Sequence, residues 1–138
     1  MENDFKILLT QEYRSTASAV YKLIQNGFFL KLTGADVITF DCRIDGKFSL
    51  LFHDRGMIQG SVSELIPGKK ISLIWNVKGF GRDEETGTVT ILLVEDANKV
   101  TAEITHRGIR STESAEAKQR AWSEILSGIR KELALGNQ

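Results

Sequence analysis

The sequence predicts an α+β fold: a curved antiparallel sheet of six to seven strands, two short helices, and one long C-terminal helix across the concave face. Three observations favour this class. Apolar and polar residues alternate through the middle of the chain, turn signals rather than helices separate the alternating segments, and the last segment has a helical apolar period. Strands joined by turns alone pair antiparallel, and the remaining helix must then cover the apolar face of the sheet.

The N-terminal third is predicted to contain one strand and two short helices. Residues 4–13 alternate apolar and polar side chains, which is typical of a half-buried strand. Residues 15–26 have helical periodicity, and either Ser15 or Thr16 can cap this helix. Residues 27–34 form a second short helix or turn between two glycines.

The central part of the chain is predicted to be a meander of hairpins. Asp45-Gly46 between two apolar runs predicts a two-residue type I′ turn, because both central residues of that turn need positive φ. The glycine-containing segment 78–87 is predicted to be a mobile hairpin tip and not a phosphate loop, since it matches neither phosphate-binding fingerprint. The strands of the meander are predicted at 36–44, 47–53, 56–66, 70–77, 88–96 and 99–107.

The last element is predicted to be an amphipathic helix from about Thr112 to Leu135. Lys118 should lie at the edge of its apolar stripe, with its aliphatic stem along the core and its ammonium in water. Ala117, Ala121 and Gly128 make a small-residue flank that predicts close packing against the edge of the sheet. The stripe itself comprises Lys118, Trp122, Ile125, Leu126, Ile129 and Leu133.

Composition predicts a single cytoplasmic domain, residues 1–138. Eighteen basic residues balance eighteen acidic ones, so there is no net charge to attract nucleic acid. No apolar run approaches the length of a membrane span, which argues against membrane insertion. Cys42 is the only cysteine, so an intramolecular disulfide is excluded and a reducing compartment is favoured, and the first residues do not resemble a secretory signal.

A twisted sheet curls, and a single helix rarely fills the resulting trough, so we expect a cavity suited to a small apolar molecule. Phe52, Trp75 and His106 lie nearest strand ends and are the residues expected to touch such a ligand, with Phe80 as a lid. A fully packed core is the alternative. The residues expected to line the cavity are Phe40, Phe48, Leu50, Phe52, Trp75, Val89, Ile91, His106, Trp122, Ile125, Leu126 and Ile129.

His106 is the most informative candidate, because it shares the inward parity of Val100, Ala102 and Ile104. A neutral imidazole in the cavity could form a hydrogen bond with a ligand carbonyl or hydroxyl group. Alternatively, it bonds a nearby backbone group at the start of the last helix. A metal site is not predicted, since no two candidate ligands have recurrent metal-binding spacing.

Glu64 raises the question of catalysis. A regular strand would turn its carboxylate inward, where it would need a partner such as Arg43 or Arg107. A bulge after Gly60 would instead turn Glu64 outward and bring Leu65 in, and this interpretation is favoured. No Ser-His-Asp, Cys-His or paired-carboxylate arrangement is indicated, so no catalytic residue is predicted.

Five blocks in order carry a family resemblance: GKFSLLF (46–52), GSVSELIPGKKISLIW (60–75), TVTILL (88–93), AEITHRGI (102–109) and AWSEILSGIRKEL (121–133). They resemble the activator-of-heat-shock-ATPase homologue family, within the helix-grip superfamily of START and birch-pollen-allergen proteins (SRPBCC). The resemblance covers nearly the whole chain and implies the helix-grip fold.

The resemblance and the expected cavity leave three functions open. The first is binding of a small hydrophobic, lipid-like or aromatic molecule. The second is a chaperone-associated module that regulates a heat-shock ATPase in the stress response. The third is a cyclase- or hydrolase-like enzyme in which His106 or Glu64 acts on a bound carbonyl compound. No cofactor is implied, and the expected state is a monomer or a weak homodimer.

Overall fold

The computed structural model describes residues 4–136 and confirms the predicted α+β class. Within that range, seven strands and three helices follow one another as β1 (Phe5–Tyr13), α1 (Ala17–Gln25), α2 (Phe28–Lys31), β2 (Val37–Phe40), β3 (Lys47–Phe52), β4 (Gly56–Ile66), β5 (Lys70–Gly79), β6 (Arg82–Asp96), β7 (Lys99–Ile109) and α3 (Thr112–Gly136).

All seven strands form one antiparallel sheet in the order β1-β7-β6-β5-β4-β3-β2. Strands β2 to β7 are a simple meander, and β1 returns to pair with the last strand. Helix α3 packs against β1 and β7, and the two short helices contact α3 as well. The sheet therefore holds the long helix on one side, where the apolar residues of alternating strand positions are collected.

The short helices begin where local chemistry favours them. Of the two candidate caps, Thr16 is the one used: its hydroxyl oxygen accepts a hydrogen bond from the Ala19 N–H at 3.1 Å. The backbone N–H of Ala17 donates to the Glu95 carboxylate at 2.7 Å, which holds the start of α1 against β6. Helix α2 follows Gly27, whose φ of 81° suits glycine.

The predicted type I′ turn at Asp45-Gly46 is wrong. Strand β2 already ends at Phe40, which pairs with Phe48, so the connection is longer than two residues. Asp45 has a positive φ of 64°, whereas Gly46 does not. Glycine is needed at 46 because a Cβ there would collide with the Asp41 carbonyl oxygen. The prediction considered only the residues next to the turn. In the structure Val62 of β4 exchanges backbone hydrogen bonds with Asp45 and Gly46, and these bonds hold the longer loop in place.

The hairpin tip predicted at 78–87 is much shorter than expected. Strand β5 continues to Gly79 and β6 begins at Arg82, so the turn consists of Phe80 and Gly81 alone. Both have positive φ, 59° and 71°, as a two-residue primed hairpin turn requires. Glu85 consequently lies in a strand and points inward, and this places an unexpected carboxylate at the candidate site.

The bulge predicted before Glu64 is confirmed. The register of β4 against β5 shifts between Val62 and Glu64, and Glu64 is exposed with its carboxylate 2.8 Å from Lys70 Nζ. Leu65 packs against the core instead. Because an extra residue reverses the parity of the strand beyond it, the carboxylate faces solvent and not the interior.

Helix α3 buries most of the stripe predicted for it, but two of its features differ. The side chain of Lys118 is only 13% exposed, so its ammonium is not at a solvated edge. The small-residue flank does allow close packing, but its partner at Gly128 is Leu32, just after α2, and not the edge of the sheet. Tyr13 fastens the helix to β1, because its buried hydroxyl donates to the Leu126 carbonyl at 2.7 Å.

Candidate functional site

An apolar cavity of ≈ 450 Å³ lies between α3 and the end of the sheet formed by the β5–β6 hairpin. Phe52, Trp75, Phe80 and Trp122 supply aromatic walls, and aliphatic side chains such as Ile125 complete them. The volume lies within the range of about 300 to 1,000 Å³ that is usual for small-molecule pockets. The trough between sheet and helix is therefore incompletely filled at this end.

Of the residues expected to line the cavity, Phe52, Trp75, Trp122 and Ile125 do so, as does Phe80. The remaining eight do not border it, and the expectation is corrected for them. Phe40 is half-buried and its ring packs edge-on against Phe29, with centroids 5.8 Å apart. The other seven lie in the packed core: Phe48, Leu50, Val89, Ile91, His106, Leu126 and Ile129.

The two short helices fill part of the trough between the sheet and α3. Val20 and Ile24 of α1, together with Phe29 and Leu30 of α2, are at most 1% exposed. These side chains occupy the trough beside α3, so inward-facing strand residues near them meet protein atoms. The cavity lies farther along the trough, near the β5–β6 turn.

His106 belongs to the core and not to the cavity wall. It is 2% exposed, and its Nδ1 accepts a hydrogen bond from the indole Nε1 of Trp122 at 3.1 Å. Trp75 packs against Trp122 with ring centroids 5.2 Å apart, and both indoles lie close to the imidazole. The expected backbone partner is also wrong, because the partner is an indole from α3. Since Nδ1 is the acceptor, the neutral ring carries its proton on Nε2.

The electrostatic surroundings keep His106 neutral. The pKa of His106 is lowered from 6.5 to about 3, chiefly by burial and also by the positive charge of Lys118, and the Glu85 carboxylate opposes this only in part. An imidazole that is neutral and already bonded to Trp122 is not available as a general acid. Glu64, the other acid–base candidate, lies outside the cavity in its pair with Lys70.

The low pKa of His106 predicts acid sensitivity of the fold. The unfolded state takes up a proton near pH 6.5 while the folded state does not until about pH 3, so stability rises with pH across that window. From roughly pH 7.5 to roughly pH 5, the free energy of unfolding should fall by about 2 kcal/mol. Urea denaturation at a series of pH values measures this.

The matched variant for the acid effect is His106→Gln, which keeps an acceptor for the Trp122 indole but cannot titrate. Its stability should be nearly flat over the same range. An equal slope in the variant would assign the acid sensitivity to other groups.

A buried ion pair that was not predicted from the sequence borders the cavity. Glu85 is 8% exposed, and its Oε1 accepts hydrogen bonds from Lys118 Nζ at 2.7 Å and the Ser114 hydroxyl at 2.8 Å. Its Oε2 accepts from the Arg110 backbone N–H at 2.8 Å. The signal was present, because Glu85 shares the parity of Val89, but it was hidden when 78–87 was read as a loop.

This ion pair is charged in the folded protein. Burial alone would raise the pKa of Glu85, but the hydrogen bonds from Lys118, Arg110 and Ser114 together lower it below its usual value of 4.5. Lys118 also donates to Ser114 Oγ at 2.8 Å. Both Lys118 and Glu85 border the cavity, so its apolar space ends at a compact polar group.

The β5–β6 turn contributes Phe80 to the lining of the cavity. The Phe80 ring packs edge-on against Phe52 with centroids 5.2 Å apart, and the Arg55 guanidinium lies 5.2 Å from the centroid of Phe52. Phe80 thus forms part of the wall, and its movement as a lid stays a prediction. Across residues 4–136, no group of three or more His, Cys, Asp or Glu side chains is placed to hold a metal ion. The same range contains no helix long and apolar enough to cross a membrane.

A curved antiparallel sheet that packs around a long C-terminal helix, with a cavity between the two, defines the helix-grip class of proteins. The family model "Activator of Hsp90 ATPase homolog 1-like protein" matches residues 14–134. The chain belongs to this family, which confirms the resemblance seen in its sequence blocks.

Solved structures share the fold at low sequence identity, and at this level the likeness shows the fold alone. An HSP90 activator from Plasmodium falciparum, PFC0360w, is 22% identical with a TM-score of 0.76, over 94% of this chain and 96% of that one. The Aha1 dimer from Colwellia psychrerythraea is 18% identical with a TM-score of 0.74, over 97% and 99%. Protein MLL2253 from Mesorhizobium loti is 12% identical with a TM-score of 0.82, over 94% and 97%. No curated protein matches the chain in sequence.

Proposed function

We propose that this protein binds one small hydrophobic or aromatic molecule in the cavity between the sheet and α3. The observation that carries the proposal is the cavity itself: ≈ 450 Å³ of space walled by four aromatic rings at the open end of an otherwise packed trough. Unfilled apolar space costs contacts that a ligand would restore. The small side chains of Ala117 and Ala121 on α3 maintain this space where larger residues would fill it.

The test is a titration with N-phenyl-1-naphthylamine, an uncharged dye that fluoresces in apolar surroundings. Binding should raise dye fluorescence, and at 100 times the Kd it should stabilise the fold by about 2.7 kcal/mol through linkage. Ala117→Phe places a ring in the cavity and should weaken binding by at least about tenfold, the equivalent of roughly 1.4 kcal/mol of lost contact.

Ala134→Phe is the matched control, since Ala134 is exposed on the same helix and borders a different groove. It should leave the affinity unchanged. If the dye does not bind, or if both variants bind it as the unaltered protein does, the cavity is not a binding site. Native mass spectrometry of freshly purified protein would identify a ligand that remains bound.

Regulation of a heat-shock ATPase is the second candidate, favoured by family membership and by the similarity to the Plasmodium falciparum HSP90 activator. Its test is the ATPase rate of purified Hsp90 with and without this protein. Stimulation that Ala117→Phe leaves intact would support a surface interaction independent of the cavity. An unchanged ATPase rate would count against this role.

Several finer expectations remain part of the proposal. They are a lipid-like or aromatic ligand, a cytoplasmic location, a single domain over residues 1–138, and a monomeric or weakly dimeric state. One of the structural neighbours is described as a dimer, which makes the oligomeric state worth measuring by light scattering.

A further inference from the structure

We infer that the ligand of this cavity is an uncharged aromatic molecule with a carbonyl-type acceptor oxygen, and that Lys118 donates a hydrogen bond to that oxygen. The inference rests on the proposed function. It starts from the cluster of Lys118, Glu85 and Ser114, in which the Lys118 ammonium lies 2.7 Å from the Glu85 carboxylate and both of these side chains border the cavity.

The donors and acceptors of this cluster are not all used within the part of the chain that the structure describes: the Glu85 carboxylate accepts several hydrogen bonds, whereas the Lys118 ammonium has a donor left. An ammonium has three N–H donors, and in residues 4–136 Lys118 uses two of them, on Glu85 Oε1 and Ser114 Oγ. Glu85 accepts three hydrogen bonds, from Lys118, Ser114 and the Arg110 backbone. The cluster therefore has a donor to offer from a side chain that borders the cavity and is 13% exposed. A ligand that matches it must supply an acceptor.

The charge balance decides between a neutral and an anionic acceptor. The positive charge of Lys118 is already compensated by Glu85, whose pKa is held below its usual value by the hydrogen bonds it receives. A carboxylate ligand would add a second buried anion beside Glu85, and desolvation would oppose it. The charged side chains around the cavity cancel, being basic at Arg55, Arg82 and Lys118 and acidic at Asp83, Glu85 and Glu124.

The side chains that line the cavity indicate what the remainder of the ligand is. Trp75, Trp122, Phe52 and Phe80 present aromatic rings, which pack well against a flat aromatic body. A ligand with an aromatic body and one acceptor oxygen would place its body between these rings. Its oxygen would then meet Lys118 Nζ.

Three matched ligands test the inference by isothermal titration calorimetry. In 2-acetylnaphthalene the acceptor is a carbonyl; in 2-isopropenylnaphthalene a CH₂ group replaces that oxygen at nearly the same shape; in 2-naphthoate the acceptor is charged. The ketone should bind about 10- to 100-fold more tightly than the alkene, the usual strength of a hydrogen bond from a charged donor. It should also bind more tightly than the carboxylate.

The double variant Glu85→Gln/Lys118→Met removes the donor without leaving an unpaired charge, and it should bring the ketone and alkene affinities close together. Lys131→Met makes the same change at an exposed position of α3 and should preserve the difference. The ligand comparison in the unaltered protein decides the question even if the double variant fails to fold.

The outcomes separate this inference from the proposed function. Equal binding of ketone and alkene, or tightest binding of the naphthoate, would overturn the inference while leaving the cavity a binding site. If none of the three binds but N-phenyl-1-naphthylamine does, the inference alone fails. If no probe binds, both fail.

Discussion

Replacing Lys118 with methionine is expected to lower the free energy of unfolding by about 3 to 5 kcal/mol, the usual cost of removing one partner from a buried ion pair. Glu85 would keep its hydrogen bonds from Ser114 and the Arg110 backbone but would lose its counter-charge. Its carboxylate would then be a buried anion without a cation beside it. Urea denaturation at neutral pH, compared with unaltered protein, measures the loss.

Two further measurements identify the ion pair as the cause. Adding Glu85→Gln to Lys118→Met should recover most of the loss, because the neutral amide oxygen can still accept the bond from the Arg110 backbone N–H while the amide NH₂ donates to Ser114 Oγ. The deficit should also shrink as the pH falls toward 4.5, since protonation of the unpaired Glu85 removes the buried charge in the variant, whereas the paired Glu85 of the unaltered protein has a pKa below 4.5 and stays charged. A loss below about 1 kcal/mol, as for an exposed pair, would show that water compensates the charge.

Trp122→Ala should lower the free energy of unfolding by a similar amount, about 3 to 5 kcal/mol, because it deletes a large buried side chain. Trp122 packs against Trp75 and lies close to His106, and these three rings are the aromatic cluster of the site. Trp122 is 2% exposed, contacts Trp75, and donates the hydrogen bond that satisfies His106. Chemical denaturation gives the magnitude. Trp122→Phe keeps most of the packing and should cost about 1 to 3 kcal/mol, chiefly from the unpaired imidazole nitrogen.

Added indole offers a sharp control for this variant. The space left by Trp122→Ala adjoins the existing cavity, so indole should stabilise the variant more than it stabilises the unaltered protein. Benzofuran has the same shape without the N–H donor and should restore less stability, because it cannot bond His106 Nδ1. Equal effects of both compounds on both proteins would mean that neither the space nor the hydrogen bond forms as described.

The aromatic cluster and the Lys118–Glu85 ion pair differ in how much hydrogen-bonding capacity they have left for a ligand. Trp75 and Trp122 border the cavity and pack on each other, and the Trp122 indole N–H is already bonded to His106 Nδ1 in the core behind them. Lys118 and Glu85 make an end wall with hydrogen-bonding capacity left over. His106, the most informative candidate in the sequence, is therefore buried and bonded to Trp122, while Lys118, which was predicted to lie at a solvated edge, is the better candidate for contact with a ligand.

Much of the architecture follows from the sequence by itself. Alternation along the strands identified the inward-facing residues of β3, β5, β6 and β7, and helical spacing identified the buried stripe of α3. The bulge at Glu64 was predicted because a carboxylate in the core would lack a partner. These are properties of a residue and its near neighbours, so they can be read from the order of residues alone.

Tertiary structure decided which inward-facing residues meet empty space and which meet protein. Leu50 and Phe52 share one strand face, yet only Phe52 borders the cavity. His106 faces inward as expected, but its partner comes from α3, and the partner of Glu85 comes from the same helix. Parity is determined by the backbone of one strand, whereas the filling of a trough depends on how α1, α2 and α3 pack from distant parts of the chain. That packing is a nonlocal result, and it alone placed the cavity and its polar end.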